Sequence, residues 1–169
     1  LKNLKEFIIQ FEGLSLGNHE FNYCLEEPFF TFFELSETII KGKVDVKLQL
    51  TKHSNMLMLQ FSFKGNITTI CDRCLEPIDV EIKGNPKLII KFGETEEETD
   101  EIIVLPLGEK ELDISNFLFE TVYLLIPPRN VHKENECNPE VISKLNSLLV
   151  KEKSKENPQW DILKKLKNK

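Results

Sequence analysis

Four cysteines in 169 residues are too few and too dispersed for a disulfide scaffold at this size. No basic, apolar leader opens the sequence, and no run approaches the roughly 18 apolar residues of a membrane helix. The chain therefore reads as a cytoplasmic protein whose thiols stay reduced. Basic charge is also scarce: 22 Lys and Arg stand against 28 Asp and Glu, a net of -6. Phosphate contacts need an excess of cations, so a surface that grips nucleic acid everywhere is excluded and no DNA partner is expected. Any RNA contact has to be local or reached through a protein partner. Catalytic signatures are missing too, with no nucleophile elbow, P-loop, dinucleotide fingerprint or HExxH helix. His19 and His53 fall in a strand and a turn without a second catalytic group nearby. The expectation is a non-enzyme.

Apolar residues make up 40% of the chain and charged residues 30%, an ordinary balance for one globular domain with a real core. Phe7 to Phe11 and His19 to Leu25 read as strands separated by Gly13 and the Gly17-Asn18 pair. The segment 29–35 is dense in Phe and predicts core packing without fixing its element type. Val44, Val46, Leu48 and Leu50 alternate with Asp45, Lys47 and Gln49, the period of a strand with one buried face. Ser54-Asn55 supplies a turn, 56–63 returns, and Gly65-Asn66 predicts a bend or bulge. Ile78, Val80 and Ile82 alternate again after Pro77, and 102–105 is a short strand. Ile114, Phe117, Leu118, Val122 and Leu125 follow a 3.6-residue period, which predicts a buried helix over 113–125 capped by Asp113. Pro127-Pro128 stops it, because neither residue donates an amide proton. Val141, Leu145, Leu148 and Leu149 predict a further helix. The fold class is α+β: an antiparallel meander, open or curled toward a barrel, with a buried helix and C-terminal helices.

Chemistry concentrates in Cys71-Asp72-Arg73-Cys74, followed far downstream by His132 and Cys137. Two thiolates two residues apart can grip one ion, and a later His and Cys complete a Cys3His set with no open position. One structural zinc ion would then staple a strand junction to the segment leaving the long helix, with Arg73 placed to offset thiolate charge. A metal-free cluster of reduced thiols and a redox dithiol are the alternatives. A redox pair normally activates its first cysteine at a helix N-terminus, whereas Cys71 follows a strand. Cys24 reads as a small core residue.

Two segments stand apart by charge. Residues 93–101 hold Glu94, Glu96, Glu97, Glu98, Asp100 and Glu101 with little to bury, which predicts a solvated acidic loop. Residues 151–169 carry seven Lys against three acidic residues. Asn157-Pro158 is a helix-start signal there, and Trp160, Leu163 and Leu166 lie on one side.

The run from Cys71 to Ile78, then Glu111 to Ile114, Glu120 to Pro128, His132, Cys137 and Asn157 to Leu166, resembles the YceD-like family of large ribosomal RNA subunit accumulation proteins. These motifs occur in order over roughly the second half of the chain. The resemblance implies a bacterial-type accessory factor, not an enzyme, needed for large-subunit rRNA to accumulate and the subunit to assemble. It implies one YceD-like domain over 1–150 and a Lys-rich tail or short helix over 151–169. Its partner would be a large-subunit precursor, met through rRNA or through a basic ribosomal protein. In the first case Lys164, Lys165, Lys167 and Lys169 would touch phosphates, and Trp160 could stack on an unpaired base. In the second, the chain is a chaperone-like protein-binding module, a reading favoured by ten acidic residues against two Lys over 91–120. A thiol redox protein is a third class.

Overall fold

The computed structural model describes residues 4–33, 39–93 and 102–149. A 3-10 turn at Leu4–Phe7 leads into β1 (Ile8–Gln10), β2 (Gly17–Leu25), α1 (Glu27–Phe32), β3 (Lys41–Lys52), β4 (Met56–Ile70), β5 (Pro77–Gly84) and β6 (Lys87–Phe92). The chain continues through β7 (Ile102–Leu105), β8 (Glu111–Asp113), α2 (Ser115–Leu125) and α3 (Pro139–Leu148). The acidic residues 94–101 and the Lys-rich tail, with Trp160, lie outside the described residues.

The alternation along β3 works as its period dictates: Val44, Val46, Leu48 and Leu50 are all buried while Asp45, Lys47 and Gln49 face water. β3 lies between β2 and β4, antiparallel to both. On its far side β4 meets two partners in succession. Met56–Gln60 pairs with β6, and Phe63–Ile70 pairs with β5. Asn85-Pro86 separates β5 from β6, where a residue without an amide proton cannot extend a ladder. The Pro86 carbonyl there accepts the Phe61 amide at 3.0 Å.

The meander is antiparallel except at its end, where β7 runs parallel to β6. β1 and β8 form a separate two-stranded pair. The sheet stays open, with β2, β5 and β7 each paired on one side only, so the curl does not proceed to a barrel among the described residues. Gly65 makes no bulge either. The β3–β4 register runs through it unbroken, and a Cβ there would sit 2.2 Å from the Lys43 carbonyl oxygen. Close approach of the two backbones is what requires glycine at this position.

One sheet face carries the core. Leu57, Leu59, Phe61 and Phe63 of β4 join the β3 residues, and Leu118 and Val122 of α2 pack into the same cluster. The Phe-rich segment becomes α1, whose Phe29 makes an edge contact with Phe7 at 5.0 Å. α2 begins two residues later than its apolar period alone suggests, because Asp113 ends β8 and its carboxylate takes the Ser115 amide at 2.8 Å. The opposite sheet face is polar across β2–β5, and Met56, Met58 and Ile89 lie half-buried on it toward β6 and β7. It presents Lys47, Gln49, Gln60, Ser62, Lys64, Lys83 and Lys87.

Candidate metal centre

At the end of β4 the chain makes a tight knuckle before β5. The Cys71 amide donates to the Glu76 carbonyl at 2.8 Å and the Leu75 amide to the Cys71 carbonyl at 2.9 Å. Leu75 turns the corner with a φ of 60° and points into solvent. A non-glycine residue in that region carries strain, and such strain is tolerated where surrounding contacts fix the backbone.

The other half of the site comes from the stretch after Pro127-Pro128. The Asn130 amide donates to the Asp72 carboxylate at 2.6 Å, and the Asp72 amide returns a bond to the Asn130 carbonyl at 2.8 Å. This reciprocal pair ties the two halves together. Farther on, Asn138 caps α3 by accepting the Glu140 amide at 3.0 Å, with Pro139 in the first turn. Its side-chain amide donates to the Glu76 carboxylate at 2.8 Å. These ties bring Cys137, three residues before that first turn closes, under the knuckle.

The result is a second, small cluster. Cys71, Cys74 and Cys137 are buried, with Ile78, Val131, Val141 and Ile142 packed around them. The three sulfurs and a His132 ring nitrogen all lie within 4.8 Å of one another. His132 Nδ1 stands 3.3 Å from Cys74 Sγ and 3.9 Å from Cys137 Sγ. Those two distances bracket the about 3.6 Å that a tetrahedral zinc ion sets between a nitrogen and a sulfur ligand. On the far side of the ring, Nε2 lies 3.2 Å from the Pro77 carbonyl. A carbonyl can only accept, so the ring proton belongs on Nε2 and the Nδ1 lone pair faces the sulfurs.

The electrostatics favour thiolates where a metal would want them. Burial pushes the Cys71 thiol up, but the backbone amides of Cys74, Arg73 and His132 outweigh it and bring the thiol down to about 6. Burial likewise raises Cys74, and amides from Glu76 and Asn138 more than offset it. Cys137 is raised, by burial first and then by the neighbouring Cys74 and Cys71 sulfurs. A cation among the three would relieve that last cost. Arg73 acts on Cys71 through its amide, while its side chain faces solvent beside an open groove of about 690 Å³ that also touches Cys137, Pro139 and Ile142.

The four ligand residues expected from spacing are thus brought together. Cys24 is not the core residue expected: it sits exposed on the outer side of β2, 3.8 Å from the Glu26 carboxylate. Its neighbours in the alternation, Tyr23 and Leu25, take the inward positions, so strand parity turns the thiol outward. His19 bonds the Ser15 carbonyl at 2.8 Å and takes no part in the cluster. Asp72, Glu76, Asn130 and Asn138 were not singled out from sequence. Of these, Asn138-Pro139 carried a readable helix-start signal. Lys164, Lys165, Lys167, Lys169 and Trp160 lie outside the described residues.

Fold and cluster together define a small α+β protein in which a Cys3His set with buried sulfurs links a strand junction to the segment before α3. The family model for the large ribosomal RNA subunit accumulation protein YceD matches residues 59–167, from the middle of β4 to the tail, and the chain belongs to the YceD family. Neither a curated protein nor a solved structure matches it. None of the described helices is long and apolar enough to cross a membrane.

Proposed function

We propose that this protein is a cytoplasmic, non-enzymatic accessory factor through which large-subunit rRNA accumulates and the subunit assembles. One structural zinc ion is held by Cys71, Cys74, His132 and Cys137. The observation that carries the reading is the closed cluster itself, which lies within the stretch the family model matches. All three sulfurs are buried and every ligand position is filled by protein, the arrangement of a site that holds structure. The partner is a large-subunit precursor. Lys164, Lys165, Lys167 and Lys169 contact its phosphates, and Trp160 stacks on an unpaired base.

The excess of acidic residues over 91–120 supports a second reading, in which a basic ribosomal protein is the direct partner and RNA is not touched. Both readings are tested in a strain lacking the protein. Large-subunit rRNA should fall relative to small-subunit rRNA and recover on return of the wild-type gene. In a gradient of gentle lysate the protein should run with a large-subunit precursor and leave it after RNase treatment. Equal rRNA levels with and without the gene would remove the function itself. Normal rescue by the tail variant K164Q/K165Q/K167Q/K169Q would favour the basic-protein reading.

A further inference from the structure

The polar face of the sheet holds an arrangement the fold does not need. Register places Lys64 of β4 directly opposite Lys83 of β5, with Asp45 of β3 on its other side. Like charges in directly opposed positions destabilise a sheet, so this pairing works against folding. Lys47 lies opposite Ser62, one step along the same face, and Lys87 lies opposite Gln60 one step further. All four lysines are exposed, and among the described residues none makes an ion pair. Strand spacing puts them on a platform roughly 10 Å by 13 Å. Asp45 and Glu20 are the acidic side chains on these rows. Lys41 and Lys43, farther along, are matched by Asp79, Glu81 and Glu26.

The rest of this face decides what it fits. Between the lysines stand Gln49, Gln60, Ser62 and Asn22, all exposed and all able to hydrogen-bond; Met58 and Ile89, half-buried, border the platform beyond Gln60 and Lys87 rather than fill its centre. Phe21 and Tyr23, the nearest aromatics, are packed against the core on the other face. A protein partner needs an apolar or aromatic centre and tends to avoid lysine, whereas a phosphate backbone needs cations and polar donors alone. The missing aromatics also argue against stacking on unpaired bases.

We propose that this face, through Lys47, Lys64, Lys83 and Lys87, holds the phosphate backbone of RNA in a sequence-independent way. The proposal rests on the rRNA reading above and adds a contact surface separate from the tail.

The test uses the full chain and an in vitro transcript of large-subunit rRNA, with binding measured across a salt series. Three proteins are compared: wild type, K47Q/K64Q/K83Q/K87Q, and the tail variant K164Q/K165Q/K167Q/K169Q. The sheet variant should bind roughly tenfold or more weakly at low salt, and its salt slope should shrink by about 3 to 4. Its melting temperature should hold, because losing the Lys64–Lys83 repulsion offsets losing the Asp45–Lys64 attraction. If the fourfold variant does not fold, K64Q/K83Q is read instead, with a slope loss of about 1.5 to 2. Unchanged affinity and slope in the sheet variant overturns the proposal, whatever the tail variant does. Absence of RNA binding by the wild type overturns it as well. The accessory function is then judged separately by rRNA levels in the deletion strain. Full rescue there by the sheet variant keeps that function and discards this surface.

Discussion

The molecule is held together in two different ways. Around β3, β4 and α2, 24 buried apolar residues among those described form one continuous cluster, and Phe61, Leu57 and Leu118 are essentially sealed from water. Around the knuckle the buried set is three cysteines, with four apolar neighbours only partly covered. Area burial can account for the first region. It cannot account for the second, which depends on directed bonds: amides on sulfur, the Asp72–Asn130 pair, the Asn138 cap and the proposed ion. A region too small to bury its way to stability needs a staple, the same logic that puts metals into very small domains.

The sharpest way to break that comparison is Cys71→Ser. In the knuckle it removes one of four ligands and should cost more than about 4 kcal/mol, with loss of bound zinc by elemental analysis. Hydrogen exchange should show protection collapsing first at α3 and the knuckle, while the β3–β4 ladder persists. Retained zinc and an unchanged melting temperature would mean that the cluster stands on packing alone. The counterpart in the large core is Leu118→Ala, which leaves a cavity at a side chain with 0% exposure. It should cost about 2–5 kcal/mol with zinc content unchanged. Loss of zinc in that variant would show that the two regions are one cooperative unit.

The two regions also differed in how far the sequence disclosed them. The β3–β4 hairpin was readable because alternation is a local signal, and the four clustered residues were readable because few residue types can bind zinc. Gly65 misled: a glycine inside a strand signals either a bulge or close approach, and only the position of the Lys43 carbonyl chooses between them. The parallel β6–β7 pairing depends on a crossover whose path no periodicity encodes. The outward turn of Cys24 follows from parity, which could have been counted from Leu25 had its burial been known. The ties that build the site, Asp72 to Asn130 and Asn138 to Glu76, span 58 and 62 residues and leave no local trace.

Smaller changes sharpen the contrast. Asn138→Ala removes the α3 cap and the bond to Glu76, and should cost about 1 kcal/mol. The loss should appear as faster exchange at the first turn of α3 and weaker zinc retention against a chelator, with the large core undisturbed. An equal slowing or quickening across β3 and β4 would contradict a division between the two regions.

The finest distinction lies in pH, because the lowered thiols lie in one region alone, while the shifted thiol on the sheet, Cys24, is raised by burial. Cys71 falls from 9.0 to about 6 in the folded protein. A depressed value means that its contribution to stability is complete above pH 9.0 and is lost as pH falls through about 6. Cys74, also lowered, acts in the same direction. Cys137 is raised, so its contribution is complete below the ordinary thiol value and lost at higher pH. His132 opposes Cys71 within the same window: burial pulls it down, contacts with Cys74 and Cys71 raise it further, and its contribution is lost as pH rises through that raised value. The measurement therefore belongs in a His132→Ala background after chelator treatment. There the melting temperature should climb from pH 6 to pH 9, and adding Cys71→Ala should flatten much of the climb. Leu118→Ala should instead lower the whole curve in parallel, since an apolar core has no proton to lose. A parallel shift from Cys71→Ala would place that thiol among the packing residues and erase the distinction between burial and directed bonds.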